Sequence, residues 1–326
     1  MPEVNTIPFP NLSDILSTTI ESRSAKVADS VTDNNVILKK LSLSGRIKTF
    51  SGGSKILQEL SFAENTNAGY YSGYDLLPVG VSDVISAAEF DIKQAAVPVV
   101  ISGLEQLQNA GKEQIIDLLD ARLSVAESTM SNLLSAGLYS DGTGAGGKEI
   151  TGLDAAVPVD PTTGTYGGID RATWTFWQSA VATGTVLSAA NIQQAMNGMW
   201  ASLVRGKDAP DLIVMDNATW ELYVASLQSQ QRFHQAETGN LGFPTLKFMG
   251  TDVCLDGGIG GNATAKTIYF LNSDYLHYRP HSARNMVPLS PNKRYSTNQD
   301  AEVSILAWAG NLTSSGARYQ GRIIGS

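Results

Sequence analysis

The sequence is poor in the side chains that most chemistry needs. It has 1 cysteine, Cys254, which excludes an intrachain disulfide and a thiolate metal cluster within one chain. That usage fits a reducing compartment. Cys254 lies in an apolar strand-like stretch, where a thiol is inert packing more often than a nucleophile. Of the 3 histidines, His234, His277 and His281, the last pair stands in Tyr-Leu-His-Tyr-Arg-Pro-His. Such spacing makes a metal pair on a helix, but Pro280 and the alternating pattern point to strand and turn. No Gly-x-Ser-x-Gly elbow occurs, so an esterase-type nucleophile has no support. Gly142-x-x-x-x-Gly147-Lys148 approaches a phosphate-binding loop, but Glu149 replaces the hydroxyl residue that would hold magnesium, and a helix precedes it where a strand is required. No basic region followed by an apolar run stands at the start, so no signal peptide is expected. The most apolar stretch, 95–104, is too short to span a bilayer and contains Pro98. No catalytic, cofactor-binding or metal-binding residue is assigned, and an enzyme is the weaker class of reading.

What is present is a large capacity for burial. The chain has 326 residues, enough for about two domains, with 42% hydrophobic and 17% charged residues. The formal net charge is −8, with no basic cluster along the sequence, which argues against gripping nucleic acid directly but not against enclosing it.

One stretch organises the rest. From Lys112 to Leu138, apolar residues recur at spacings of four and three: Ile116, Leu119, Leu123, Ala126, Met130 and Leu133. The spacing predicts a helix roughly 40 Å long, stopped at Gly137 and a glycine-rich break over Asp141–Gly147. Before it, residues 1–10 read as an extended arm and about 11–30 as a polar helix ended by Asn34-Asn35. Residues 36–43 and 46–50 read as extended. Lys55 to Phe62 and about Val84 to Val100 read as strands joined by a long polar, aromatic tip, with Ala88, Phe90 and Ile92 alternating against Glu89, Asp91 and Lys93. A lone two-stranded hairpin is marginal in water, so this one is expected to rest on something outside its own core. Tyr70, Tyr71 and Tyr74 at the tip are of the residue type that anchors interfaces, and Lys55 and Phe90 join them as candidate interface residues.

After the long helix come a loop-rich stretch with Pro158 and Pro161, and an aromatic segment, Trp174-Thr-Phe-Trp177. Helices are predicted over about 188–204 and 217–228, flanking a buried strand at 211–215. Strands are predicted at 246–249, 251–255, 267–271 and 274–278. A long strand follows, with Ala301, Val303, Ile305, Ala307 and Ala309 on its buried face, to flank the long helix.

The order of these parts resembles the major capsid proteins of tailed bacteriophages, whose α+β fold is named after phage Hong Kong 97. The likeness is carried by Asn34-Asn-Val-Ile-Leu-Lys-Lys-Leu, Gly52-Gly-Ser-Lys-Ile, the hairpin from Lys55 to Ile101, the helix end Leu133-Leu-Ser-Ala-Gly-Leu-Tyr-Ser-Asp-Gly142 and Tyr269-Phe-Leu-Asn-Ser-Asp-Tyr-Leu276. The resemblance implies an N-terminal arm over 1–35, an extended loop over 36–102, a peripheral domain over 103–207 with the spine helix, an axial domain over 208–291, and returning strands over 292–326. It implies self-assembly into the pentamers and hexamers of an icosahedral head around double-stranded DNA, with scaffolding, portal and cement proteins as partners and no membrane. Because the arm is short, a separate scaffold is expected. Some members weld subunits through a lysine–asparagine bond; Lys55 with Asn292 or Asn311 supplies the residue types, without a matched motif. A shell of the encapsulin type, which shares the fold and holds protein cargo, stays open beside it, as does an α+β enzyme of another class.

Overall fold

The computed structural model describes residues 35–77, 79–104, 112–227, 245–257, 261–289, 294–295 and 301–326. The predicted arm and polar helix, His234 and Asn292 lie outside them, as do the side chains of Ile116 and Leu119. The helices are Val36–Leu43 (α1), Lys112–Tyr139 (α2), Ile192–Leu203 (α3) and Asn217–Leu227 (α4), with single turns such as Leu153–Ala156 between them. The strands run Lys55–Ser61 (β1), Ile85–Asp91 (β2), Lys93–Ser102 (β3), Thr165–Tyr166 (β4), Ile169–Asp170 (β5), Ala180–Thr185 (β6), Leu212–Met215 (β7), Thr245–Phe248 (β8), Thr251–Leu255 (β9), Thr267–Leu271 (β10), Leu276–Pro280 (β11), Val287–Pro288 (β12), Arg294–Tyr295 (β13), Ala301–Ser314 (β14) and Gly321–Gly325 (β15). Among the described residues no helix is long and apolar enough to cross a membrane.

The long helix is where the spacing put it. Leu123, Ala126, Met130, Leu134 and Leu138 form its buried side, against Val99 and Ile101 of β3 and Leu306 and Trp308 of β14. Leu133, expected in that stripe, is 49% exposed, because a spacing of four from Met130 carries the inward row to Leu134. The helix continues through Gly137 to Tyr139 before it stops. The chain then doubles back so closely that a Cβ on Gly152 would collide with the carbonyl oxygen of Leu138, and the amide of Gly152 donates to the carbonyl of Ser140 at 3.0 Å.

Two sheets lie on either side of this core. The first is built on β14, which pairs antiparallel with β3 along one edge and with β11, β12 and β13 along the other. Its inward residues near the start are Ser304, Leu306 and Trp308, while Val303 and Ile305 are only half-buried; the expected face is therefore reversed. From Leu306 onward both faces are covered, so alternation loses its meaning there. The second sheet has the order β6-β15-β10-β7-β9-β8. Leu212 and Val214 of β7 turn toward the long-helix core, and Ile213 and Met215 toward α3, with Met196, Met199 and Leu203. This sheet takes β6 and β15 from outside 208–291, while β11 and β12 belong to the first sheet, so sheet membership cuts across the division expected from sequence.

One segment folds otherwise than expected. Residues 36–43 are helical, not extended. Asn35 opens this helix: its Oδ1 accepts from the amides of Ile37 and Leu38 at 3.0 and 3.1 Å, and its Nδ2 donates to Ser135 Oγ of α2 at 3.2 Å. Val36, Ile37, Leu38 and Leu41 are buried in the long-helix core. Asn35→Ala should cost about 1–2 kcal/mol, read in urea unfolding, whereas Asn35→Asp, which keeps the cap acceptor, should lose less.

Candidate functional site

The hairpin is a root and a free tip. The root is β1 paired with β2 from Lys55↔Asp91 to Ser61↔Ile85. The predicted second strand divides near Ile92, so that β3 leaves the hairpin and joins β14. Alternation puts Ile56, Leu60, Ala88 and Phe90 on one face, and that face is met by Tyr166, Trp177, Ala156, Val157 and Ala317. Phe90 is 2% exposed and meets the Tyr166 ring edge-on at 5.2 Å. It therefore belongs to the chain's own core and not to an interface, because the aromatic segment supplies its cover. Arg171 lies over the Tyr166 ring, 5.1 Å from its centre, and donates to the carbonyls of Ala155 and Ala156 at 2.6 and 3.0 Å. Phe62 ends the root, stacked on Phe176 at 5.5 Å.

Beyond Phe62 the described residues have no regular structure until Ile85. What order the tip has is local: Asn67 Nδ2 donates to the carbonyl of Gly80 at 2.7 Å, and the Ser72 amide donates to Asp75 Oδ2 at 2.9 Å. Tyr70 and Tyr74 are fully exposed and Tyr71 is two-thirds exposed. Leu76, Val79, Val81 and Ile85 are exposed beside them, and Leu77 is 54% exposed. Lone apolar residues on a surface mean little, but a run of this length is an exposed apolar surface of the kind found at interfaces. Sequence reasoning named the tyrosines and missed Leu76 to Val81. Their signal was an apolar run broken by Pro78 and Gly80, too irregular to be a strand and too apolar for an ordinary loop.

Lys55 stands at the foot of β1, its Nζ 2.7 Å from Glu89 Oε2 on β2; both side chains are about half exposed. The hydrogen bond and charge of Glu89 raise the Lys55 pKa. Asn311, a possible acceptor for a lysine bond, is wholly buried: its Nδ2 donates to the Asp91 carbonyl at 2.9 Å and its Oδ1 accepts from the Thr151 amide at 2.9 Å. Both ends of its amide are thus engaged within its own chain.

The residues tested for chemistry are occupied structurally. Burial pushes the Cys254 thiol up to about 12. The glycine loop is filled from within: Glu149 accepts from Ser140 Oγ at 2.6 Å, and Lys93 Nζ donates to the Gly147 carbonyl at 2.5 Å. No group of three metal-binding side chains gathers among the described residues.

His277 sits on β11, 5% exposed, with Nδ1 unpartnered. Burial first, then the charges of Arg46, Lys48 and Arg279, lower its pKa from 6.5 to about 4. Between those values the unfolded chain binds a proton that the folded chain refuses. Stability should therefore fall as pH drops from about 6.5 toward 4, and His277→Gln should flatten that part of a melting-temperature profile.

Comparison with solved structures bears on the fold. The chain is similar to the cyanophage A-1(L) capsid asymmetric unit, at 17% identity and TM-score 0.61, over 86% of this chain and 90% of that one. It is similar to the capsid of the native GTA particle, at 15% identity and TM-score 0.60, over 88% and 90%. A structure from Mycobacterium phage Bobi matches at 9% identity and TM-score 0.56, over 90% of each chain. No protein-family model matches, and no curated protein does. At these identities the likeness is one of fold, and it places the chain in the α+β, Hong Kong 97-type capsid architecture.

Proposed function

We propose that the chain is a major capsid protein that assembles with itself into the pentamers and hexamers of an icosahedral phage head, enclosing double-stranded DNA without reading its sequence. The observation that carries this is the free tip: a segment rich in exposed tyrosine, leucine and valine, held out on a root that is firmly packed. One chain leaves it bare, and copies arranged around closed symmetry axes cover it. The fold shared with capsid chains over most of the length supports the reading. The net charge of −8 suits a wall that encloses nucleic acid without clasping it. Scaffolding, portal and cement proteins are its expected partners, assembly takes place in the bacterial host cytoplasm, and the final location is the virion.

Each contact between copies can be modest, because repetition around a shell multiplies it. Negative-stain microscopy of the purified protein, alone and with a co-expressed scaffold, tests the reading. Shells or capsomers are expected; monodisperse single chains under every condition would refute it. Nuclease-protected DNA inside particles is the further expectation, and protein cargo in its place would identify an encapsulin-type compartment.

A further inference from the structure

The fold builds a basic patch that the sequence does not show as a run. Residues 46–50 lie parallel to β11, with Ile47 opposite Tyr278 and Phe50 opposite His281. The Tyr278 amide donates to the Arg46 carbonyl at 3.2 Å, and the Lys48 amide to the Tyr278 carbonyl at 3.0 Å. Ile47 and Tyr278 turn into the long-helix core. Period-two alternation therefore sends Arg46, Lys48, His277 and Arg279 to the opposite face. Arg46 is held by Asp274 at 2.5 Å, with its own Nε buried and unpartnered. Lys48 is exposed, and Arg279 is half-buried with a buried Nε that has no hydrogen-bond partner. Asp274 is the one carboxylate paired with this cluster among the described residues. A partly buried guanidinium without a counter-charge is costly, and a carboxylate brought against the exposed part of Arg279 would offset that cost.

The same chain carries the complement. From Ile56 to Ile92 it has 6 acidic residues, Glu59, Glu64, Asp75, Asp83, Glu89 and Asp91, and no lysine or arginine. Asp75 and Asp83 are exposed on the tip beside the tyrosines; Glu64 is 3.8 Å from Arg205 of its own chain. We propose that the patch of Arg46, Lys48 and Arg279 is the seat for the acidic loop tip of a second copy, with Asp75 and Asp83 meeting the cations and the neighbouring tyrosines covering the guanidinium faces. This rests on the assembly reading above and names the surface that reading needs. Opposite charge sets which patch the loop finds, and the apolar residues of the tip supply the burial.

A charge-swap series tests it. Asp75→Lys/Asp83→Lys alters only exposed tip positions, and Lys48→Glu/Arg279→Glu reverses the patch. Each set alone should raise the protein concentration at half-assembly by about tenfold, equivalent to roughly 1.4 kcal/mol, and joining both sets in one chain should restore assembly. Carbodiimide coupling of wild-type particles, which needs no variant to fold, should link Lys48 to Asp75 or Asp83 of different copies in an isotope-mixed sample. Particles that form normally with either reversal and give no such link overturn the seat while leaving the assembly reading intact. A patch reversal that changes only the DNA content also overturns it, since the patch would then face nucleic acid. A wild-type chain that never assembles overturns both readings.

Discussion

Replacing Tyr70, Tyr71 and Tyr74 together by serine should abolish particle formation while leaving the subunit as stable as before. All three rings lie outside the packed clusters of the described residues, and Tyr70 and Tyr74 are fully exposed. Their removal should change unfolding free energy by less than about 0.5 kcal/mol, as for other surface positions. At an interface the same rings would be central, because tyrosine buries a large rigid area at little entropic cost. Loss of a single hot-spot ring costs roughly 2 kcal/mol, which lifts the concentration needed for assembly by about thirtyfold; three in one tip should carry it out of reach. Sedimentation and thermal melting on the same preparation read the two quantities separately. Normal shells from the triple variant would remove the tip from the assembly surface. A large drop in melting temperature would show instead that the rings pack on their own loop.

How much of this was legible from sequence varied with the physics of each segment. The long helix was legible because a sustained 3.6-residue period has no rival explanation over 28 residues. Its exact face was less so, since Leu133 and Leu134 are identical in type and only packing against β3 and β14 selects Leu134. Residues 36–43 were misread because a short apolar run fits a buried helix and a strand equally. The deciding signal is Asn35, which caps the following helix, although its residue type suits the end of a preceding one equally well. Phe90 shows a different limit. Alternation sets Phe90 apart from Glu89 and Asp91 as one apolar face, but does not show that Tyr166 and Trp177, more than seventy residues later, return to cover it. The basic patch was invisible for the same reason: Arg46 and Lys48 meet Arg279 only across a parallel pairing of distant segments. The tip tyrosines stand out by residue type alone, and their exposure follows from a loop that has no later partner among the described residues.

Trp308→Ala should be the most damaging single substitution in the core, lowering stability by about 3–5 kcal/mol. Trp308 lies on β14, the strand that every other member of its sheet pairs with, and is 1% exposed. Its indole stacks on Tyr278 of β11 at 5.8 Å and 16°, and shares a core with Met130 and Leu134 of the long helix. The ring thus joins the sheet to the helix laid across it, and to the strand carrying the basic patch on its reverse face. Truncation leaves a void flanked by a helix and two strands whose paired backbones cannot simply close in, which favours the upper part of that range. Urea unfolding should show a lower midpoint with an unchanged slope. Val125→Ala, on the exposed side of the same helix, should shift the midpoint by less than about 0.5 kcal/mol and serves as the control. A Trp308→Ala loss no larger than the control's would mean that the helix does not depend on this sheet for its seat. The spine would then be a separable element, and a tip free to reach a neighbouring copy would have no rigid base to reach from.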